Sequence, residues 1–334
     1  MPETSATPGV PMSRPGKLRS LLATARIANV PSVVSNVWAG IAIGAAFQRW
    51  EHGGESVWPD ALCLTLAGIC LYIGGNFLND WHDREWDADN RPERALPTGL
   101  FPPGMYLLLA ILLELLGVIL ALVVGWKCAV VAAVIVVCIV IYTRWHKKAV
   151  WPVIPMGLCR ALLPVMGFVG FATMVRVRPM EDVGLPDPAT IVTLHALALL
   201  IYIAGLSLGA RYESSPNPSK AALAVSKVAL VFSGVLAAAL WIFLSVRAGL
   251  IGLIPFAVWM LFCLTKYRRP IPVHVSALLA GIPLIDWIAM VAYCLLVPPL
   301  SHPPAIQSYS LACLAIPPLA FITGRLLQKL APAT

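Results

Sequence analysis

Five oxygen-bearing side chains are spaced along one predicted helix face at the end of a long apolar run. They are Asn76, Asn79, Asp80, Asp83 and Asp87. At about 100° per residue they project into an arc of roughly 100°, whereas Glu85 points nearly opposite. Three carboxylates on one face repel one another, and at a membrane boundary such a group needs a counter-cation. Carboxylate and amide oxygens are hard ligands, which suit Mg²⁺ and the substrate phosphates that often share its coordination shell.

The composition places this face in a membrane protein. The chain has 334 residues, of which 59% are hydrophobic and 12% are charged, against about 25% charged residues in a soluble protein. The apolar residues form long runs, which are typical of a polytopic membrane protein. The net charge of +8 comes from basic residues at the ends of these runs, so it indicates membrane topology, and we expect no nucleic-acid partner. The eight cysteines lie mostly inside the runs without a CxxC spacing, so neither a disulfide nor a zinc site is predicted.

The apolar runs predict an all-α polytopic membrane protein of nine to ten transmembrane helices. A single membrane domain, residues 26–330, follows a loosely attached cytoplasmic tail, residues 1–25. Most of the 24 Lys and Arg residues fall on the side of the N-terminus, which places that side in the cytoplasm. A nine-span version, in which 307–328 lies on the surface or re-enters the membrane, stays open. The predicted segments are approximately 28–48, 57–80, 102–124, 127–143, 150–173, 190–210, 222–246, 249–265, 273–298 and 307–328.

This topology brings four polar loops to the cytoplasmic face, where acidic and basic residues meet. The loops are 81–101, 144–149, 211–221 and 266–272. Such a face suits an anionic, lipid-borne substrate; the alternative, which we favour for 266–272, is that the bases only determine topology. Arg160 and Asp286 lie inside apolar segments, where charge is costly. Arg160 serves either a structural ion pair or the binding of a diphosphate or acceptor anion, and Asp286 either partners a buried base or lies on the acceptor side.

Three short motifs resemble one protein family. The sequence NDWHDREWD at 79–87 resembles the first motif of the UbiA-type intramembrane prenyltransferases, NDxxDxxxD. The continuation RPERALPTG at 91–99 is similar to the Arg-rich loop that follows this motif and ends in Pro and Gly. The sequence YTRWHKK at 142–148 resembles a Tyr-then-Lys element at the matching place in the superfamily. Within the superfamily the chain looks most like the EboC-like subfamily.

The resemblance implies both a fold and a reaction. The fold is a UbiA-like bundle of about nine helices around a central cavity that opens sideways to lipid. The reaction is the transfer of a prenyl group from an isoprenoid diphosphate to a small acceptor, a class that includes cyclic and aromatic molecules. The implied cofactor is Mg²⁺. The implied metal ligands are Asn79, Asp80, Asp83, Asp87 and Glu213; the diphosphate-binding residues are Arg91, Arg94, Lys148 and Arg211; the catalytic residues are Asp83, Asp87, Lys147 and Arg160.

The second motif departs from the superfamily pattern. Members that transfer prenyl groups usually carry a second Asp-rich element, roughly DxxxD, after the sixth helix, whereas this chain has GARYESSPNP at 209–218. Either Glu213 binds one Mg²⁺, or Arg211 replaces a cation by binding the diphosphate directly. An EboC-like protein is expected to have such an ARxE element at this position. Because of this departure, an alternative function stays open, in which the protein binds or transports a lipid diphosphate without turnover. Another membrane diphosphate enzyme, such as a phosphatase or a CDP-alcohol phosphotransferase, is disfavoured because the DG…AR…G…D…D spacing is absent.

We expect an integral protein of the cytoplasmic (inner) membrane of a bacterium, with the N-terminus and the loops of the site in the cytoplasm. The predicted partners are the isoprenoid diphosphate, the small acceptor and membrane lipids. A solvated acidic loop is the alternative to a metal site, but it does not explain why five oxygen ligands share one helix face. The sequence leaves the acceptor, the prenyl chain length and the oligomeric state open.

Overall fold

The computed structural model describes residues 16–46, 48–50, 58–174, 177–179, 187–213, 217, 219–296 and 304–331. Helices dominate these residues, as the long apolar runs predict. The elements in chain order are α1 (Lys17–Thr24), a 3-10 turn (Ile27–Asn29), α2 (Val30–Ala46), β1 (Gln48–Trp50), α3 (Trp58–Asn90), α4 (Pro103–Val124), α5 (Trp126–Trp145), α6 (Val153–Met174), β2 (Val177–Pro179), α7 (Pro188–Glu213), α8 (Lys220–Leu244), α9 (Val246–Leu264), α10 (Ile271–Ala280), α11 (Ile282–Leu296) and α12 (Pro304–Leu327).

Nine helical stretches among the described residues are long and apolar enough to cross a membrane. They are α2 with the turn before it, α3 to α9, and α10 joined with α11. This confirms the predicted all-α membrane bundle, and it extends the two short predicted segments, 127–143 and 249–265, to helices of 20 and 19 residues. The ninth predicted segment is interrupted at Gly281, between α10 and α11. The tenth corresponds to α12, whose apolar part with described side chains, Leu311–Leu327, is shorter than a full span.

The N-terminal segment is ordered closer to the start of the chain than the predicted tail of 1–25 implies. Helix α1 begins at Lys17, and Thr24 Oγ1 at its end lies within hydrogen-bonding distance, 3.0 Å, of the Tyr106 hydroxyl on α4. Residues 1–15 lie outside the described part of the chain. The contact with α4 fixes the turn that follows α1, and this turn supplies one residue of the site described below.

The two larger of three apolar cores among the described residues hold most of the bundle together. One joins α2, α3, α5 and α6 around Val37 and Met166, and the other joins α7 to α11 around Tyr202 and Phe256. Because lipid chains are as apolar as these side chains, helix association in a membrane depends on close packing rather than on hydrophobic burial.

Small residues let α2 and α6 cross in backbone contact. A Cβ atom added to Gly40 would lie 1.8 Å from the Pro164 carbonyl oxygen, and one added to Gly167 would lie 2.1 Å from the Val37 carbonyl oxygen. Both distances are far below van der Waals contact, so neither position accepts a larger residue without a backbone shift. The crossing brings polar residues at the start of α2 next to Arg160 on α6.

The strands β1 and β2 form a short antiparallel pair, with Gln48 opposite Pro179 and Trp50 opposite Val177. The connections after α2 and α6 therefore lie at the same end of the bundle. The distribution of Lys and Arg predicts that both lie on the non-cytoplasmic side, and the pairing agrees with their sharing one side. Which side of the membrane this is stays a prediction.

Candidate functional site

The acidic face lies on the C-terminal turns of α3. This helix has 33 residues and is about 50 Å long at 1.5 Å per residue, well beyond the ~30 Å hydrocarbon core. Four of the five oxygen-bearing residues are buried there: Asn76, Asn79, Asp83 and Asp87. The Glu85 side chain, by contrast, is 85% exposed. The prediction of a loop over 81–101 is wrong in its first half, because α3 continues to Asn90 and carries the whole acidic face on one rigid element.

Asp83 connects the acidic face to the end of α5. Its Oδ2 lies 3.1 Å from His146 Nε2 and 3.4 Å from Lys147 Nζ. The same oxygen accepts a hydrogen bond from Asn79 Nδ2 at 3.3 Å. The Lys147 ammonium also lies 3.4 Å from the centre of the Trp86 ring. Burial lowers the pKa of Lys147 below its ordinary value, and the Asp83 carboxylate opposes that shift. His146, which lies in the predicted loop 144–149, therefore contacts the acidic face directly through Asp83.

The loop after α3 folds back over the acidic face. Arg94 Nη1 lies 2.7 Å from Asp87 Oδ2 and 3.5 Å from Asp80 Oδ1. The loop ends at Gly99, whose φ of +69° is a left-handed conformation that glycine adopts without strain. Arg91 lies on the same loop and lines the cavity described below. Arg91 and Arg94, two of the three arginines for which we predict a contact with a diphosphate, therefore lie beside the acidic face.

Arg26 belongs to the site, although in the sequence it is one of the many basic residues that indicate membrane topology. Its Nη1 donates to Asn76 Oδ1 at 2.7 Å, and its Nη2 lies 3.5 Å from Asp80 Oδ1. Asn76 Nδ2 in turn donates to the Ala25 carbonyl oxygen at 3.2 Å. The backbone of Arg26 is left-handed, with φ 46° and ψ 50°, which costs a non-glycine residue about 1–3 kcal/mol. This turn after α1 directs a guanidinium at the acidic face; the available signal was an arginine directly before the first apolar segment.

Two buried oxygen atoms of the acidic face have no hydrogen-bond partner among the described residues. They are Asn79 Oδ1 and Asp87 Oδ1. Each such acceptor costs about 1–3 kcal/mol, and a cation bound through oxygen would satisfy both. In the described part of the chain no three His, Cys, Asp or Glu side chains converge into a ready metal site. Mg²⁺ still fits, because it is typically held by one or two carboxylates and completes its shell with water and substrate phosphates.

A cavity of about 750 Å³ opens beside the acidic face. Six Lys and Arg residues line it: Arg26, Arg91, Arg94, Lys147, Arg160 and Arg211. Apolar side chains, among them Met156, Leu206 and Leu279, form much of the remaining wall. A smaller and mostly apolar cavity of about 70 Å³ shares Tyr72 and Tyr142 with it. The site therefore offers cations for phosphate groups and an apolar surface for hydrocarbon.

The remaining loop residues of the predicted site divide between the cavity and its surroundings. Arg211 donates a hydrogen bond to the His146 carbonyl oxygen and lines the cavity. Glu213 Oε2 is buried and has no hydrogen-bond partner among the described residues. In the described part of the chain, the cavity lining includes neither Glu213 nor the exposed Lys148. The structure thus brings Arg211 to the site and leaves the other two outside the cavity wall.

Arg160 lines both cavities and is only 6% exposed. Its Nη1 donates to Ser32 Oγ at 3.0 Å and to Asn36 Oδ1 at 3.4 Å. The guanidinium lies 4.8 Å from the centre of the Tyr72 ring, which provides a cation–π contact. Asn36 Nδ2 then donates to Asp286 Oδ2 at 2.9 Å. Arg160 is therefore linked through one amide to the buried carboxylate of α11.

Asp286 is the centre of a buried polar network. It is completely buried, and its carboxylate accepts hydrogen bonds from Ser35 Oγ and Asn36 Nδ2. His195 Nε2 lies 2.9 Å from Asp286 Oδ1. Of the two roles that the sequence left open for Asp286, these contacts favour the partner of a buried base, because His195 contacts the carboxylate directly and Arg160 is linked to it through Asn36. The sequence signal for the network was a set of polar residues within otherwise apolar segments.

Comparisons with known proteins give a consistent family. A model of the UbiA prenyltransferase family matches residues 37–269. The digeranylgeranylglyceryl phosphate synthase of Natronomonas pharaonis is 33% identical over 90 residues, which are 27% of this chain and 32% of that protein. The 33 kDa chain of the bacteriochlorophyll synthase of Rhodobacter capsulatus is 37% identical over 93 residues, which are 27% of this chain and 28% of that protein. The alignments span about a third of the length of these relatives.

The fold is also similar to that of a solved structure. A UbiA homologue from Archaeoglobus fulgidus gives a TM-score of 0.56 at 14% identity, and the match covers 89% of this chain and 99% of the homologue. The structure of that homologue bound to DMAPP and Mg²⁺ gives a TM-score of 0.51 at 14% identity, with 93% of this chain and 99% of the homologue covered. At this level of identity the likeness shows a shared fold.

Proposed function

Because the chain belongs to the UbiA prenyltransferase family, we propose that it transfers a prenyl group from an isoprenoid diphosphate to a small acceptor within the membrane. The observation that carries the proposal is the acidic face of α3, where Asn79 and Asp87 present buried oxygens that no other described residue contacts by a hydrogen bond. Arg26, Arg94 and Lys147 contact the carboxylates of the same face. Support for a donor that binds with Mg²⁺ comes from the Archaeoglobus fulgidus homologue, which was solved with DMAPP and Mg²⁺.

The residues of the acidic face divide between the cation and the diphosphate. Asn79, Asp83 and Asp87 would hold Mg²⁺ through their oxygens, and when bound this ion neutralises charge that develops on the departing pyrophosphate. Arg26 and Arg94 bind phosphate oxygens, since a guanidinium pairs with phosphate through parallel hydrogen bonds. Both arginines contact carboxylates of the face, which orients them towards the proposed position of the diphosphate.

The apolar side of the site takes the prenyl chain and the acceptor. The smaller cavity continues from the acidic face along Leu71, Ile139 and Leu163, which suits hydrocarbon. Tyr72 and Tyr142 line both cavities, and their ring faces stabilise positive charge at the allylic carbon as its bond to the diphosphate oxygen breaks. Apolar walls exclude water, which would otherwise capture this carbon. The acceptor then attacks from the larger cavity, and the relatives leave its identity open because their names describe different products.

A second candidate function is the binding or transport of a lipid diphosphate without turnover. The observation that favours it is the reduced second motif. Arg211 is held by the His146 carbonyl oxygen, and Glu213 lies outside the described cavity lining, so no second cluster of acids faces the first. In this alternative the arginines of the site bind the diphosphate and the prenyl bond stays intact. Placement in the EboC-like subfamily, which is expected to carry such a motif, stays a prediction.

The test is the release of pyrophosphate by the purified protein in lipid. Geranyl, farnesyl and geranylgeranyl diphosphate are supplied in turn, with a membrane extract as the source of acceptor and with either Mg²⁺ or EDTA. We expect Mg²⁺-dependent release from at least one donor. Asp83→Ala should abolish this release, whereas Glu85→Ala, on the opposite face of the same helix, should retain it. Tight binding of the donors without release of pyrophosphate at any chain length would contradict prenyl transfer and favour a binding protein without turnover.

A further inference from the structure

A groove of about 620 Å³ lies between α10 and α12 and shares no lining residue with the cavity of the candidate site. We propose that this groove binds an anionic phospholipid from the bilayer, with its phosphate on Arg325 and Lys329 and an acyl chain along α12. The proposal is independent of the proposed function, because no groove residue belongs to the predicted catalytic or metal-binding set.

Arg325 is held in place by its neighbours without losing its charge. Its guanidinium lies 5.3 Å from the ring centres of both Trp259 and Tyr267. Its Nη1 donates to Gln328 Oε1 at 2.8 Å, and Gln328 Nε2 donates to the Ser276 carbonyl oxygen of α10 at 2.8 Å. A guanidinium has five N–H donors, and the bond to Gln328 uses only one of those of Arg325. The other N–H groups of this oriented side chain can therefore donate to an occupant of the groove. This is the arrangement that recognises phosphate through two parallel hydrogen bonds.

The charge at this end of the groove is strongly positive. The sequence from 265 to 334 contains a single acidic residue, Asp286, and its side chain is completely buried within the bundle. The ion pairs of the described residues include neither Arg325 nor Lys329. The loop 266–269 adds two arginines and a lysine, and it adjoins the groove because Tyr267 contacts Arg325. An occupant with a negative head therefore complements the charge.

The walls of the groove are apolar and face outward. Ile322 and Leu326, one helical turn apart on α12, are 51% and 54% exposed. Val273 on the opposite wall is 40% exposed, and Phe321 completes the groove. Exposed apolar side chains on a membrane bundle lie against lipid chains, so the groove continues from the cations towards hydrocarbon. A free phosphate would use only the cations, whereas a phospholipid matches both parts. Basic pockets between helices attract anionic lipid heads at the cytoplasmic surface, the side on which the sequence predicts this loop.

Native mass spectrometry of lipid adducts tests the proposal. Purified protein in a neutral detergent is mixed with phosphatidylglycerol or phosphatidylcholine of identical acyl chains. We expect preferential retention of phosphatidylglycerol. One basic residue near a lipid surface contributes about 1 kcal/mol, so Arg325→Gln should weaken this retention about fivefold. Lys329→Gln, at an exposed position on which folding does not depend, should weaken it by a similar factor.

Lys227→Gln is the matched control, because Lys227 is an exposed lysine on α8 outside the groove. It should leave retention unchanged, and all three variants should keep the pyrophosphate release of the parent protein. Equal retention of the two lipids would overturn the proposal. So would an equal loss from Lys227→Gln and Lys329→Gln, since that result would show diffuse attraction to surface charge.

Discussion

Replacing Asp87 with asparagine keeps the shape of the side chain and removes one charge from the acidic face of α3. Asp87 is 1% exposed, and its Oδ2 accepts a 2.7 Å hydrogen bond from Arg94 that an amide oxygen can also accept. The loss of charge assistance costs about 1 kcal/mol, and relief of repulsion from Asp80 and Asp83 offsets part of it. We therefore expect the stability of Asp87→Asn to lie within about 1 kcal/mol of the parent protein.

The effect of Asp87→Asn on activity should be much larger. The substitution weakens electrostatic stabilisation where the departing pyrophosphate gains charge, and the removal of one such group typically costs about 10²–10³-fold in kcat. Steady-state pyrophosphate release, measured across a series of Mg²⁺ concentrations, should show this loss together with a higher half-saturating Mg²⁺ concentration. Glu85→Gln removes the same charge from the exposed face of the same helix and should have no effect. If a folded Asp87→Asn protein releases pyrophosphate within threefold of the parent rate at every Mg²⁺ concentration, the Asp87 charge is not needed for Mg²⁺ binding or for the reaction.

Three further substitutions test other parts of the site and its scaffold. Arg26→Ala should raise KM for the donor by about 10- to 150-fold, because hydrogen bonds to charged groups contribute about 1.5–3 kcal/mol. A change in kcat alone, with KM intact, would speak against a diphosphate contact. Asp286→Ala should lower the unfolding free energy by about 3–5 kcal/mol in a thermal unfolding assay. Adding Arg160→Met to this variant should restore part of the loss, because it removes a buried charge that has lost its counter-charge. Strictly additive losses would count against the link between Arg160 and Asp286. Gly40→Val should abolish folded protein on size-exclusion chromatography, because the Pro164 carbonyl oxygen occupies the space of the new side chain. Gly104→Ala, whose new Cβ lies in open space, should leave the protein folded. A monodisperse Gly40→Val protein would show that α2 and α6 can separate.

The spans and the acidic face were predictable from the sequence because both depend on local spacing. Apolar runs of 20 residues or more indicate membrane helices directly, and a period of 3.6 residues assigns Asn79, Asp83 and Asp87 to one face. The end of α3 was not predictable in this way. Its last turns are polar and therefore read as a loop, yet contacts from Arg94, His146 and Lys147 hold them as helix.

The residues that complete the site were harder to predict, because long-range packing brings them there. Arg26 reaches Asp80 only through a left-handed turn, which the sequence does not mark with a glycine or an asparagine. His146 reaches Asp83 across 63 residues of chain. The link between Arg160 and Asp286 depends on Asn36 and on the close crossing of α2 and α6. Charged residues inside apolar segments indicated that each has a polar partner. Which residues these partners are depends on how the helices pack, which the sequence alone does not show.

We expect the acidic face of α3 to couple the binding of Mg²⁺ to that of the diphosphate, and this coupling can be measured without turnover. Equilibrium binding of farnesyl thiodiphosphate, a donor analogue that resists cleavage, is measured for the parent protein and for Asp83→Ala in Mg²⁺ and in EDTA. We expect Mg²⁺ to tighten binding at least tenfold in the parent protein and to have little effect in Asp83→Ala. An equal gain from Mg²⁺ in both proteins would contradict the claim.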